Sequence, residues 1–172
     1  MTLIIDSRES SDLSEEVEEK AKKMNIPTKK QWIEVGDYVI GNVCFEAKST
    51  HDFLSSIVSK RLWTQLDNMD RCYENNIVII YGSLQEALTY TKYSAKYNSM
   101  PRERKIQLLT NNFYGGIGRI ILDSDIKPLW VKDAYAAASI ICSAAKMQPV
   151  DMPPIKPHIF KRYTTDDIRI NM

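Results

Sequence analysis

Residues 77–81 read Ile-Val-Ile-Ile-Tyr, with no polar residue between them. A strand with one wet face alternates apolar and polar side chains. An unbroken, β-branched-rich run is instead the pattern of a strand covered on both faces, at the centre of a sheet. Such a strand needs helices above and below it, which confines the chain to layered α/β architectures. The rest of the sequence fits that requirement. Residues 2–5, Thr-Leu-Ile-Ile, form a second short β-rich run, ended by Asp6-Ser7-Arg8-Glu9. Leu13, Val17, Ala21 and Met24 follow at helical spacing behind Ser10, Ser11 and Asp12, with acids early and lysines late, as the helix dipole favours. The acid run is therefore expected to be a solvated helix face. The expected class is α/β, with a central mixed β-sheet flanked by helices.

Further along, residues 29–35 are predicted to be a strand with Trp32 on one face. Gly41-Asn42 lies between the β-rich runs 36–40 and 43–46 and predicts a two-residue hairpin of type II′. Ser49 or Thr50 caps a helix carrying Phe53, Leu54, Ile57 and Val58, and a second helix runs from about Leu62 to Glu74. Helix is also predicted over 113–122 despite three glycines, and from Asp133 to about Met147 with Tyr135, Ala138, Ile141 and Ala145 as its buried stripe. Residues 128–131 are a last short strand. The expected domain spans 1–147. Residues 148–172, with Pro149, Pro153, Pro154 and Pro157, are expected to be a proline-rich tail.

Composition narrows the classes further. The 172 residues are 44% hydrophobic and 26% charged, which is ordinary for a folded domain. No apolar run reaches the roughly 18 residues that a membrane helix needs, and the N-terminus lacks the pattern of a secretion signal. Net charge is only +1, so nucleic-acid binding would need a local patch rather than the whole-molecule field. Cys44, Cys72 and Cys142 have no metal-binding or disulfide spacing and are expected to be reduced thiols inside a cell, cytoplasmic or nucleoid-associated if the source is prokaryotic or viral.

One constellation carries chemistry. Asp37 begins one arm of the predicted hairpin, and Glu46 and Lys48 leave the same face of the other arm. Folding at Gly41-Asn42 brings Asp37 to the Glu46 end, so two carboxylates and one ammonium would converge. Carboxylates so placed can hold Mg²⁺, which polarises a phosphoryl oxygen and activates a water, and Lys48 can stabilise developing charge. Acids beside the apolar Val43 and Phe45 are costly unless paired or metal-bound. Asp6 and Glu9, at the end of another strand, could join the site. The plainer alternative is an exposed strand with ordinary surface charges.

The order Asp6-Ser7-Arg8-Glu9, then Gly36-Asp37, then Glu46-Ala47-Lys48-Ser49-Thr50-His51-Asp52 resembles the XPF/Hef-type (ERCC4-domain) family of structure-specific DNA nucleases. The family signature is a D-x-R-E stretch, then GD, then ERK followed by three residues and Asp. Phe53, Ser56-Ile57, Arg61-Leu62, Gln65 and the strand 77–81 with Gly82-Ser83-Leu84 also match. The resemblance covers about residues 2–147, apart from an insertion near 88–111. It implies a restriction-endonuclease-like core and Mg²⁺- or Mn²⁺-dependent hydrolysis of phosphodiester bonds at branched, flap or fork DNA. Asp37 and Glu46 would be metal ligands, with the Ala47 carbonyl as a further oxygen, and Glu9 and Asp6 would assist metal or water binding. Arg8 would contact phosphate or brace the acids. Lys48 would position the nucleophilic water, and Asp52 would orient Lys48 or cap its helix. The family dimerises through this domain, and the late small-residue helices would be the surface for a homodimer. Position 47 departs from the pattern, with Ala where the family has Arg, which would remove a phosphate or supporting contact. A tandem helix-hairpin-helix segment after residue 147 is also missing. A catalytically weak DNA-binding or scaffolding partner of a larger nuclease or helicase, and a Holliday-junction-resolvase-like nuclease, are the alternatives.

Other features admit two readings each. Residues 88–111 hold five Lys/Arg against one Glu, with Tyr90, Tyr93 and Tyr97 interleaved. Lys92, Lys96, Arg102, Arg104 and Lys105 could meet phosphates while the rings stack on unpaired bases, or the tyrosines could pack on the core. Arg61 and Gln65, one turn apart, could reach DNA, brace the acids or be a surface pair. Gly115-Gly116-Ile117-Gly118 has no strand before it and is expected to serve close helix packing rather than phosphate binding. The tail could dock a helicase or another replication or repair protein, or lie along its own domain.

Overall fold

The computed structural model of the chain describes residues 1–9, 11–90 and 92–147. The expected tail lies outside these residues. In chain order the elements are β1 (Leu3–Asp6), α1 (Asp12–Lys23), β2 (Thr28–Gln31), β3 (Tyr38–Ile40), β4 (Val43–Ser49), α2 (Thr50–Val58), α3 (Arg61–Cys72) and β5 (Asn75–Tyr81). After these come α4 (Leu84–Thr89), the single turn α5 (Ala95–Asn98), α6 (Arg102–Asp123), β6 (Lys127–Val131) and α7 (Ala134–Lys146). The strands form one sheet in the order β2-β1-β3-β4-β5-β6. β3 runs antiparallel to both β1 and β4, and the other neighbours are parallel, so the sheet is mixed.

Each face of the sheet carries its own core. On the first face, Leu3, Ile5, Tyr38, Ile40, Phe45 and Ile79 pack with Leu13, Val17 and Ala21 of α1 and with Ala137, Ala138 and Ile141 of α7. On the second, Cys44, Val78 and Ile80 pack with Phe53 and Leu54 of α2, Leu62, Leu66 and Met69 of α3, and Leu109, Phe113 and Ile120 of α6. β5 feeds both cores, as its unbroken apolar run requires. The Gly41 φ of +57°, with Asn42 outside the positive region, is the backbone that a type II′ hairpin places first in its turn.

Three expectations need correction. The strand over 29–35 ends at Gln31, and Trp32 lies outside it, exposed. Its partner β1 also ends there, at the Asp6–Gln31 pair, and the Ile33 N–H goes to the Asp6 carboxylate at 3.2 Å instead of to a strand. Residues 102–123 form one continuous helix of 22 residues, which merges the end of the basic segment with the glycine-bearing stretch. Pro101 sits just before its first turn, where its missing N–H costs nothing. Tyr135 is not in the buried stripe of α7. It is exposed, with its ring 4.6 Å from the Lys20 ammonium.

Candidate active site

The two-residue period of the strands decides which side chains meet. Tyr38 and Ile40 face the first core, so Asp37 faces the second side. On β4, Val43, Phe45 and Ala47 face the first side, and Cys44, Glu46 and Lys48 face the second. Leu3 and Ile5 turn to the first side, which sends Asp6 to the second. Three strands therefore direct Asp6, Asp37, Glu46 and Lys48 to the face that α3 covers. Ala47 packs against the first core, on the side of the sheet opposite the carboxylate face.

Two backbone hydrogen bonds and one to its side chain fix Asp37. Its N–H donates to the Phe45 carbonyl at 2.9 Å, its carbonyl accepts from the Asp6 N–H at 2.9 Å, and its Oδ2 accepts from the Ala47 N–H at 2.8 Å. Gly36 precedes it at φ +94°, and a Cβ there would collide with the Cys44 sulfur. Glycine is required at this position for both reasons. Lys48 is buried, and its Nζ lies 3.6 Å from Glu46 Oε1. Glu9 is held by Ser11 Oγ at 3.1 Å and the Tyr38 hydroxyl at 3.3 Å, both donating to its Oε2. Arg8 is tied to the Asp6 carboxylate at 3.1 Å and to the Ile33 carbonyl.

The carboxylates and Arg8, but not Lys48, line a cavity of about 350 Å³ together with Glu34, Gln65 and Asn68: its polar wall holds Asp6, Arg8, Glu9, Asp37 and Glu46. Asp37 and Glu46 are half-buried: they open on the cavity and are enclosed by protein elsewhere. Loss of solvation pushes the Asp37 carboxyl well above its ordinary value, and the charges of Glu46 and Glu9 add to the shift. The Ala47 N–H and Lys48 oppose it. Glu46 is also raised, first by loss of solvation and then by Glu9, while Lys48 and a hydrogen bond with Asp37 pull it down. Two acids that repel each other in a poorly solvated cleft, with one ammonium beside Glu46, leave an unmet demand for positive charge. The donors are all oxygen, which suits a hard divalent cation that keeps several waters. Among the described residues, no three His, Cys, Asp or Glu side chains are gathered into a metal cage. Glu9 Oε2 accepts from Tyr38 and Ser11, and the residue also lines the cavity beside Asp37 and Glu46.

The other expected site residues fall in different places. Gln65 of α3 reaches the cavity, while Arg61, at the start of that helix, is exposed and does not line it. Asp52 is exposed, with its carboxylate 3.4 Å from His51 Nε2. Ser49, rather than Asp52, caps α2 by accepting the Asp52 N–H. Tyr93 is buried and donates to the Ala87 carbonyl, Tyr97 accepts from Asn112, and Tyr90 stacks on His51 at 4.5 Å. The tyrosines of the basic segment therefore pack on the domain. Lys92, Lys96, Arg102 and Arg104 are exposed, and Lys105 is half-buried beside Asn98. Glu34 and Asn68 line the cavity without having been expected there. Asn68 lies three residues after Gln65 on the same helix face, a spacing that could have pointed to it. A second cavity, of about 410 Å³, lies between α3 and the end of α6, away from the paired acids.

Comparison with known proteins places this geometry in a family. Residues 5–144 match the ERCC4 domain. A putative ATP-dependent RNA helicase of Methanocaldococcus jannaschii is 30% identical over 119 residues, which is 69% of this chain and 13% of that protein. The DNA repair endonuclease UVH1 of Arabidopsis thaliana is 28% identical over 154 residues, or 85% of this chain and 14% of that protein. The chain thus spans only about a seventh of the length of these relatives. Among solved structures, XPF from Aeropyrum pernix superposes with a TM-score of 0.64 at 21% identity, covering 85% of this chain and 64% of that one. The same protein in complex with DNA gives 0.62 at 22%, covering 84% and 63%. The fold is the restriction-endonuclease-like fold of the XPF nuclease domain, and with four-fifths of its length matched to the family, the chain belongs to the ERCC4 domain family.

Proposed function

We propose that this domain hydrolyses phosphodiester bonds in DNA at branched, flap or fork structures, with Mg²⁺ or Mn²⁺ held by Asp37 and Glu46. The observation that supports it most is the meeting of those two carboxylates with Lys48 on one face of the sheet, beside an open polar cavity. The name of one relative, a DNA repair endonuclease, and the DNA complex of a structural neighbour support DNA as the substrate. When bound, the ion would polarise a phosphoryl oxygen and make a bound water more acidic.

The chain's own residues do the rest. The Ala47 N–H holds Asp37 Oδ2, so that carboxylate keeps a fixed orientation toward the cavity. Lys48 steadies Glu46, orients the attacking water and offsets charge that develops on the phosphate. Glu9, fixed by Tyr38 and Ser11, adds negative charge beside the pair. Arg8 braces Asp6 at the rim.

A second copy of the chain would dock on α6 and β6. Tyr114, Ile121, Leu122 and Trp130 are exposed there, and the Cβ positions of Gly115 and Gly118 face open space. Gly116 differs, since it packs inward against Ile57 of α2. The alanines of α7 are spent on packing within the chain against the first core, which leaves α6 as the small-residue surface.

The test is cleavage of end-labelled flap, fork, nicked and four-way-junction DNA in Mg²⁺, Mn²⁺ or EDTA. Metal-dependent cutting that disappears in Asp37→Ala and Glu46→Ala is the expected result. Binding without cutting under every metal would instead indicate a scaffolding partner, and cutting of the four-way junction alone a resolvase.

A further inference from the structure

We propose that the indole of Trp32 is a stacking platform for an unpaired nucleobase at the rim of the carboxylate cavity. This rests on the reading of that cavity as a site of phosphodiester hydrolysis. It adds a contact that helps the domain recognise a branch.

Trp32 is 59% exposed, whereas its neighbour Ile33 is buried. The chain leaves the edge strand β2 at this point and turns the smaller apolar residue inward and the larger one outward. An indole left in water forgoes one of the largest burial gains open to any side chain. Its position connects it to the cavity. Arg8 Cζ lies 5.2 Å from the indole centroid, and Arg8 itself lines the cavity with Glu9, Asp37 and Glu46. Arg8 is not free to swing, because Asp6 and the Ile33 carbonyl hold it. The guanidinium therefore braces the ring at a fixed place beside the acids.

The chemistry of the rim favours a base over a phosphate as the ligand of this ring. The cavity wall is dominated by carboxylates, which repel a nucleic-acid backbone wherever no cation shields them. An aromatic face attracts a base without regard to that field, and it does so with little sequence preference, because every base has a π-face. Arg8 beside it can meet the adjoining phosphate. Bases inside a duplex are already stacked on their neighbours and are closed to such a platform. Only a base released at a fork, flap or junction can reach it. The ring would thus hold the unpaired strand next to the place of cutting and reward branched DNA over plain duplex.

The experiment uses forked DNA carrying 2-aminopurine at the first unpaired position, with Ca²⁺ in place of Mg²⁺ to prevent turnover. The parent chain, Trp32→Ala, Trp32→Leu and Trp32→Phe are compared. The parent and Trp32→Phe should quench the 2-aminopurine signal. Trp32→Ala and Trp32→Leu should lose the quench and bind the fork about tenfold more weakly, the scale of one stacked base. Affinity for fully paired duplex and the melting temperature should not change. If Trp32→Ala and Trp32→Leu quench and bind as the parent does, the platform is wrong, while metal-dependent cutting by the parent would leave the hydrolytic reading intact. If the parent neither binds the fork nor cuts it with any metal, the hydrolytic reading fails and the platform fails with it.

Discussion

Loss of solvation raises the Asp37 carboxyl first, and Glu46 and Glu9 raise it further. That has a consequence for stability. In the unfolded chain both acids titrate near their ordinary values, whereas in the fold they keep protons to higher pH. The folded state then binds more protons within that window, so stability falls as pH rises from the unfolded value through the folded one. The metal-free domain should therefore melt higher in mild acid than at neutral pH as far as these groups are concerned. Asp37→Asn keeps an oxygen for the Ala47 N–H and removes the charge. It should raise the melting temperature at pH 7 in EDTA by about 2–4 °C, on the order of 1 kcal/mol for a chain of this size, and flatten the pH profile. Thermal melts between pH 5 and 8 read this directly, and a variant that melts lower than the parent at pH 7 contradicts it. Lys48 makes the opposite kind of contribution. Lys48→Met preserves most of the volume of a buried side chain, so fork binding should survive while kcat falls about 10²–10³-fold. Single-turnover cleavage beside a binding titration separates the two, and a normal rate would remove Lys48 from the reaction.

At the scale of elements, the hairpin matters most. A positive φ at Gly36 and the contact with Cys44 leave no room for a side chain. Gly36→Ala is expected to cost about 2–3 kcal/mol and to displace Asp37, seen as a lower melting temperature together with lost metal-dependent cleavage. A variant that melts like the parent would show that the turn can relax. The two glycines at the centre of α6 make a matched contrast. Gly115 faces open space, so Gly115→Ala should stabilise the helix by about 0.5–1 kcal/mol. Gly116→Val forces Ile57 and α2 aside and should destabilise by about 1–3 kcal/mol. Denaturant melts of the two variants check both signs. The meeting of Asp37, Glu46 and Lys48 was legible in the sequence because it depends on local rules, a two-residue turn and the period of two along each arm. Residues 29–35 misled for a related reason. An alternating pattern cannot show that β1 stops at Asp6 and leaves Trp32 and Ile33 without a ladder to join. Glu34 reaches the cavity from an irregular segment that no local pattern encodes, whereas Asn68 shares a helix face with Gln65 and was within reach of the helical spacing.

The whole molecule sets two faces apart. The carboxylate face looks toward α3, while Ala47, the departure from the family pattern, packs on the opposite side of the sheet with the first core. The opposite facing of Ala47 follows from the period of two along β4, but the sheet order could not be read before the strands were placed, because crossover connections depend on contacts distant in sequence. The exposed strip on α6 and β6 predicts a second copy. Sedimentation at micromolar concentration should give the mass of two chains for the parent and of one for Ile121→Glu, with cutting weakened in proportion. A parent that stays single at every concentration used would rule out that surface.

The proposed chemistry requires Asp37 and Glu46 together to hold a divalent cation at the cavity. Crystals of the domain soaked in manganese, measured at a wavelength where manganese scatters anomalously, test it most directly. An anomalous peak within bonding distance of both carboxylates is expected, absent in Asp37→Asn crystals treated alike. A saturating soak that leaves the two acids pointing apart with no peak between them would contradict it.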